Sequence, residues 1–140
     1  MFAAITYPAR VEEAGPGDFV VTFPDIPEAI TGAGSYAEAV DTAADALAAA
    51  VEGYVLKARA APARRDAGVG EVAVPLAPAL AARVLLTERM AADKLTKSAV
   101  ARLIGKDEKV VRRILEGSNV SLDQILDALA KLGVRPALAV

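Results

Sequence analysis

Near the start of the chain apolar positions recur every second residue. Phe2 to Tyr7 alternates and is rich in β-formers, which predicts a strand. Phe19 to Phe23 repeats the pattern, with Phe19, Val21 and Phe23 on one face and Val20 and Thr22 on the other. Between them, Val11 to Asp18 collects Glu, Gly and Pro and reads as turn chemistry, so the two strands are expected to form a hairpin with a long loop. Pro24 and Pro27 end the second strand, because neither can donate to a ladder. A short third strand is expected over Ala29 to Thr31, closed by Gly32-Ala33-Gly34, and a fourth over Glu71 to Pro75, with Val72 and Val74 on one face.

Elsewhere the period lengthens to that of a helix. Ser35-Tyr36-Ala37-Glu38 fits a capping box and opens a long helix whose stripe is Val40, Ala43, Ala44, Leu47, Val51 and Tyr54 or Val55. Asp41, Asp45 and Glu52 lie off that stripe, and the helix is expected to cover one face of the sheet. A Pro/Gly/Arg-containing loop follows from Lys57 to Gly70. The first unit, residues 1–77, therefore reads as β-β-β-α-β, an α+β pair of layers.

The second unit, residues 78–140, reads as four helices and a tail. Pro78 suits the first turn of a helix running to about Asp93, with Leu80, Val84 and Leu85 as its apolar face. Thr96, Asp107 and Ser121 are expected to cap the next three, Leu95 stapling onto Val100 and Val120 onto Ile125. Leu122, Ile125, Leu126, Leu129 and Leu132 face the last helix's core, and Gly133 stops it. Val134 to Val140 looks extended. Within this unit, KSAVARLIGKDEKVVRRIL, residues 97–115, has the pattern of a helix-turn-helix. Val100, Ala101 and Ile104 share one face, Val111, Ile114 and Leu115 share the other, and Gly105 supplies a turn residue that tolerates positive φ.

Composition and charge narrow the function. Alanine makes up much of the apolar content, and few aromatics are present, so no base-stacking platform is evident. With no cysteine there is no disulfide framework or thiolate metal site, which fits a reducing, cytoplasmic setting; with no histidine the commonest general base is missing. The N-terminus lacks the pattern of a secretion signal, and carboxylates interrupt the most apolar stretch, Ala37 to Leu56, so no membrane association is expected. The net charge of −2 hides a division: residues 1–75 hold 5 basic and 11 acidic residues, residues 76–140 hold 11 and 7. A basic half suits nucleic acid and an acidic half suits a basic protein.

In a helix-turn-helix the N-terminal half of the second helix meets base edges in the major groove. With Val111, Ile114 and Leu115 in the core, Asp107, Glu108, Lys109, Arg112 and Arg113 are left as groove candidates. Arg112 or Arg113 can bridge O6 and N7 of guanine, while Lys97 and Ser98, opening the preceding helix, suit phosphate. Two residues sit awkwardly. Lys106 occupies a turn position that favours an apolar residue, so its stem must lie along the surface, and Glu108 places a negative charge near the groove. The competing view is a helical packing unit whose arginines form a solvated face. The acidic residues also raise the reading of a nuclease. Asp18, Asp25, Glu28, Glu38 and Asp41 supply carboxylates, but a turn, a cap and a proline-flanked strand end do not converge them as two-metal chemistry needs. No catalytic residue, metal or cofactor is therefore assigned.

At this point the chain resembles the HicB antitoxins. The resemblance rests on Phe23-Pro24-Asp25-Ile26-Pro27-Glu28, with Glu28 where the family's motif has glycine. It continues in Thr31-Gly32, in Ser35-Tyr36-Ala37-Glu38-Ala39-Val40, and in the strand-to-helix run Val72 to Leu86, ahead of a Cro/repressor-like helix-turn-helix. It implies a partial ribonuclease-H-like fold without nuclease activity, and a partner, a small basic ribonuclease toxin of the HicA type held inactive by the first domain. It further implies autorepression by a homodimer or dimer of dimers on double-stranded operator DNA. A transcription regulator with a ligand-sensing first domain and no toxin partner is the alternative.

Overall fold

The computed structural model describes residues 5–136. The elements run β1 (Thr6–Gly15), β2 (Asp18–Thr22), β3 (Ile30–Ala33), α1 (Tyr36–Leu56), β4 (Val72–Pro75), α2 (Pro78–Ala92), α3 (Lys97–Ile104), α4 (Glu108–Glu116) and α5 (Leu122–Lys131). This is an α+β protein, an antiparallel four-stranded sheet in the order β3-β2-β1-β4 followed by a helical part. The described residues group into two compact units, one from 5–51 and 62–76, the other from 52–61 and 77–136.

In the sheet unit, β1 is longer than the alternation predicts and lies later. The strand expected over Phe2 to Tyr7 falls partly outside the described residues, and Val11 to Gly15, expected as a loop, is ladder. Arg10 to Glu13 pair with Thr22 to Phe19, and a bulge carries the register to Gly15 opposite Asp18. Only Pro16 and Gly17 form the turn, Gly17 at φ +72°. Glu12, Glu13 and Ala14 are exposed, so this segment is held by backbone pairing and has no buried face for a hydrophobic pattern to record. Pro8 fits because β1 is paired there with β4 alone, and β2 reaches only as far as Thr22 opposite Arg10. The third strand is displaced likewise, running through Gly32 to Ala33. Gly32 leaves room for β2, since a Cβ there would stand 3.2 Å from the Phe19 carbonyl oxygen.

The core of this unit comes from Tyr7, Ala9, Val21, Phe23, Ile26 and Ala29, from Val74, and from Ala39, Ala43, Leu47 and Val51 of α1. The buried stripe of α1 is thus rotated slightly from the expected one, with Ala39 replacing Val40 and Ala44 half-buried. Ser35 caps the helix by accepting from the Glu38 N–H at 3.2 Å. The segment between the prolines is two successive turns, Ile26 N–H to Phe23 O and Ala29 N–H to Ile26 O, which carry Ile26 into the core. Asp25, beside it, meets Arg65 Nε at 2.9 Å. Arg65 also grips Glu71, which accepts from Gly68 N–H and lies 3.6 Å from Arg10, so the long connection is tied down by charge.

In the helical unit, α2 packs on α5, and α3 packs on α4. Leu80, Ala82, Val84, Leu86 and Met90 of α2 are buried; Leu85, expected on that face, is half-buried. Ser121 and Gln124 complete a capping box, and Ile125, Ala128 and Leu129 anchor α5. The C-terminal ends of three helices are met by cations from other elements. Lys131 Nζ donates to Ile104 O at 3.4 Å, Arg89 to Leu132 O at 2.9 Å, and Arg83 to the last turn of α4. Only the first residues of the extended tail are described, as irregular chain; the rest of Val134 to Val140 lies outside.

Candidate nucleic-acid interface

The site grows from two short helices and the turn between them. Thr96 Oγ1 accepts from Ala99 N–H at 3.1 Å and starts α3. Gly105 ends it in the left-handed region, φ +69° and ψ 35°, where its N–H returns to Ala101 O and Arg102 O and Lys106 N–H to Ala101 O. Asp107 then adopts extended dihedrals and α4 begins. Val100, Ala101 and Ile104 on one helix and Val111, Ile114 and Leu115 on the other are all buried, the six residues that periodicity picks out. With those faces inside, Arg102, Lys106, Lys109, Arg112 and Arg113 are exposed.

Asp107 does not cap as expected: it holds the N-cap position but its side chain makes no cap hydrogen bond. The start of α4 is secured instead through Glu108. Ser98 Oγ donates to Glu108 Oε2 at 2.9 Å, and Arg112 Nη2 donates to Glu108 Oε1 at 2.7 Å. The hydrogen bond from Ser98, then the bond and charge of Arg112, hold the Glu108 carboxyl below the usual range, with Lys97 adding a smaller push. Three of the residues singled out in the sequence therefore form one chain of bonds from the first turn of α3 to the first turn of α4. Lys97 stands half-buried at its edge, and Lys109 and Arg113 flank it on α4. Lys106 lines a shallow cleft with Ile104, Val110 and Ile114, so its stem lies along apolar surface while the residue stays exposed.

Sequence reasoning missed the residue beneath α4. Arg83 of α2 is 6% exposed. Its Nε donates to Ile114 O at 2.8 Å, its Nη2 to Leu115 O, and its fork pairs with both oxygens of Glu52 on the last turns of α1. A signal was present: Leu80, Arg83, Val84, Thr87 and Met90 share one helical face, so a charge interrupts an apolar stripe.

A family described as the HicB-like antitoxin of bacterial toxin–antitoxin systems matches residues 6–85, from β1 into α2. The chain belongs to the HicB antitoxin family. Antitoxin HicB 2 of Photorhabdus laumondii is 37% identical over 128 residues, 91% of this chain and 90% of that protein, a span that takes in α3 and α4 as well. Antitoxin HicB 1 of the same organism is 36% identical over 79% of this chain and 70% of its own length. Antitoxin HicB of Escherichia coli K12 is 31% identical over 77% and 78%. In this HicB chain, Asp25 of the proline motif is engaged by Arg65, and among the described residues no group of His, Cys, Asp or Glu could hold a metal ion. No described helix is long and apolar enough to cross a membrane.

Proposed function

We propose that the α+β domain, residues 1–77, neutralises a small basic mRNA-cleaving toxin of the HicA type by direct binding, and that the helical domain, residues 78–140, autorepresses the operon by binding operator DNA through a helix-turn-helix formed by α3 and α4. The protein acts in the cytoplasm as a homodimer or dimer of dimers and has no catalytic role of its own. The observation that carries the DNA half is the bonded chain Ser98–Glu108–Arg112, which holds one arginine beside exposed Lys109 and Arg113 on α4. A guanidinium already held by a carboxylate loses little freedom when it meets a guanine edge, and a bidentate contact there is worth about 1–3 kcal/mol of discrimination. Family membership and an acidic first half carry the toxin half, since the relatives named above are antitoxins and opposite charge favours encounter with a basic protein.

In a gel shift on the protein's own promoter, Arg112→Ala with Arg113→Ala is expected to weaken binding by about 10-fold or more. Unchanged sequence-selective binding would remove these arginines from the interface. For the toxin half, the product of the adjacent small reading frame is expected to arrest growth alone and to be silenced by co-expression of residues 1–140. Arrest that persists despite soluble antitoxin rejects the pairing and favours the ligand-sensing regulator.

A further inference from the structure

We infer that Arg83 and Glu52 are positioning residues for operator recognition: an ion pair of a buried arginine and a half-buried carboxylate that fixes the reading helix α4 from behind. The inference rests on the DNA-binding reading of α4. A helix of nine residues is held largely by its ends, and the last carbonyls of any α-helix lack partners within it. Here Gly117 N–H serves Arg113 O and Ile114 O, and Ser118 N–H serves Arg113 O. Arg83 adds a second donor to Ile114 O and reaches Leu115 O, one step further along. Nη1 and Nη2 also donate to Glu52, so these four bonds are all made only when α4 stands at one axial position and one rotation. Sliding α4 would strip acceptors from a buried charge, which makes the position discrete rather than soft. Gly117 belongs to the same device: it sits at φ +71°, and a Cβ there would stand 2.8 Å from Arg83 Nη1. A lysine at 83 keeps the charge but cannot present the planar fork.

Arg83 and Glu52 lie at the opposite, C-terminal end of α4 from the braced Glu108 and act on DNA only through that helix. The test uses full-length protein and compares Kd for its own operator with Kd for a random duplex of equal length at one salt concentration. Arg83→Lys is expected to weaken operator binding about 10-fold while random-duplex binding stays within about twofold, because phosphate contacts tolerate a shifted helix and base contacts do not. A role in stability alone reduces the folded fraction and weakens both by the same factor, which would overturn the inference. Glu52→Gln, which keeps the shape but replaces one accepting oxygen with an NH2 donor facing the guanidinium, supplies the same comparison should the lysine variant fail to fold. A retained operator-to-random ratio in the folded variant overturns it too. A wild-type protein with no operator preference instead defeats the DNA-binding reading, so the two failures are told apart by the wild-type arm.

Discussion

Glu108 places a carboxylate at the first turn of α4, where the helix dipole favours it and a neighbouring phosphate would not. Its bonds to Ser98 and Arg112 decide between the two effects, because losing it frees Arg112 as well as removing a repulsive charge. Glu108→Ala is therefore expected to raise affinity for random duplex slightly and to lower the operator-to-random ratio about 5- to 50-fold. A ratio that rises would mean that Glu108 acts only by repulsion. Glu71 makes a separate prediction in the sheet unit. Arg65, followed by Gly68 N–H, holds its carboxyl down at about 2, while the unfolded chain should titrate near 4.5. A depressed folded pKa contributes stability that is fully present above the unfolded value and is lost as pH falls toward the folded one. Carboxyl-carbon NMR should find Glu71 titrating near pH 2, and Arg65→Met should return it toward 4.5. A wild-type midpoint above 4 would rule out the clamp.

Among the elements, caps separate what the sequence signals from what the fold uses. Thr96 and Ser121 each accept a backbone N–H, and Asp107, of an equally favourable residue type, accepts none. Thr96→Ala and Ser121→Ala should each cost about 1 kcal/mol, and Asp107→Ala less than about 0.5 kcal/mol. Urea midpoints at constant m-value measure this, and an equal loss at Asp107 would contradict the observed geometry. Helix order, the burial of α3 and α4, and the capping box of α5 were legible because polar and apolar residues alternate there with strong contrast. In α1 and α2 the contrast is weak, since alanine and valine occur on all sides, and the stripe shifts to Ala39 and from Leu85 to Leu86. The outer half of β1 was illegible for another reason. Its ladder is made by backbone groups under exposed Glu12 and Glu13. Arg83 and Glu52 stand 31 positions apart, a pairing that no local pattern specifies. On α3 and α4 the exposed residue types were readable, whereas the bonding of Glu108 with Ser98 and Arg112 required the two helices to be placed.

On the scale of the whole chain, the charge division assigns opposite polarity to the two proposed tasks. Residues 1–75 carry an excess of acid and residues 76–140 an excess of base, so the proposed basic toxin and polyanionic duplex would each be attracted to a different part of one nearly neutral protein. Neutralising exposed carboxylates of the first part should slow encounter with the toxin without changing how long the complex lasts, since charges outside a packed contact steer association more than they hold it. Glu12, Asp41 and Asp45 are exposed and lie in the sheet unit. Stopped-flow association of the triple variant Glu12→Gln, Asp41→Asn, Asp45→Asn with the toxin should be slower by about 3- to 10-fold at low ionic strength. The difference should shrink as salt rises toward 0.5 M, where the screening length falls to about 4 Å. Dissociation should change by less than about twofold. Operator affinity should rise slightly, because the removed charges repel DNA at long range. A rise in dissociation rate alone would place these carboxylates inside the contact surface, and an unchanged association rate would mean that the acidity of the first half does not steer the toxin.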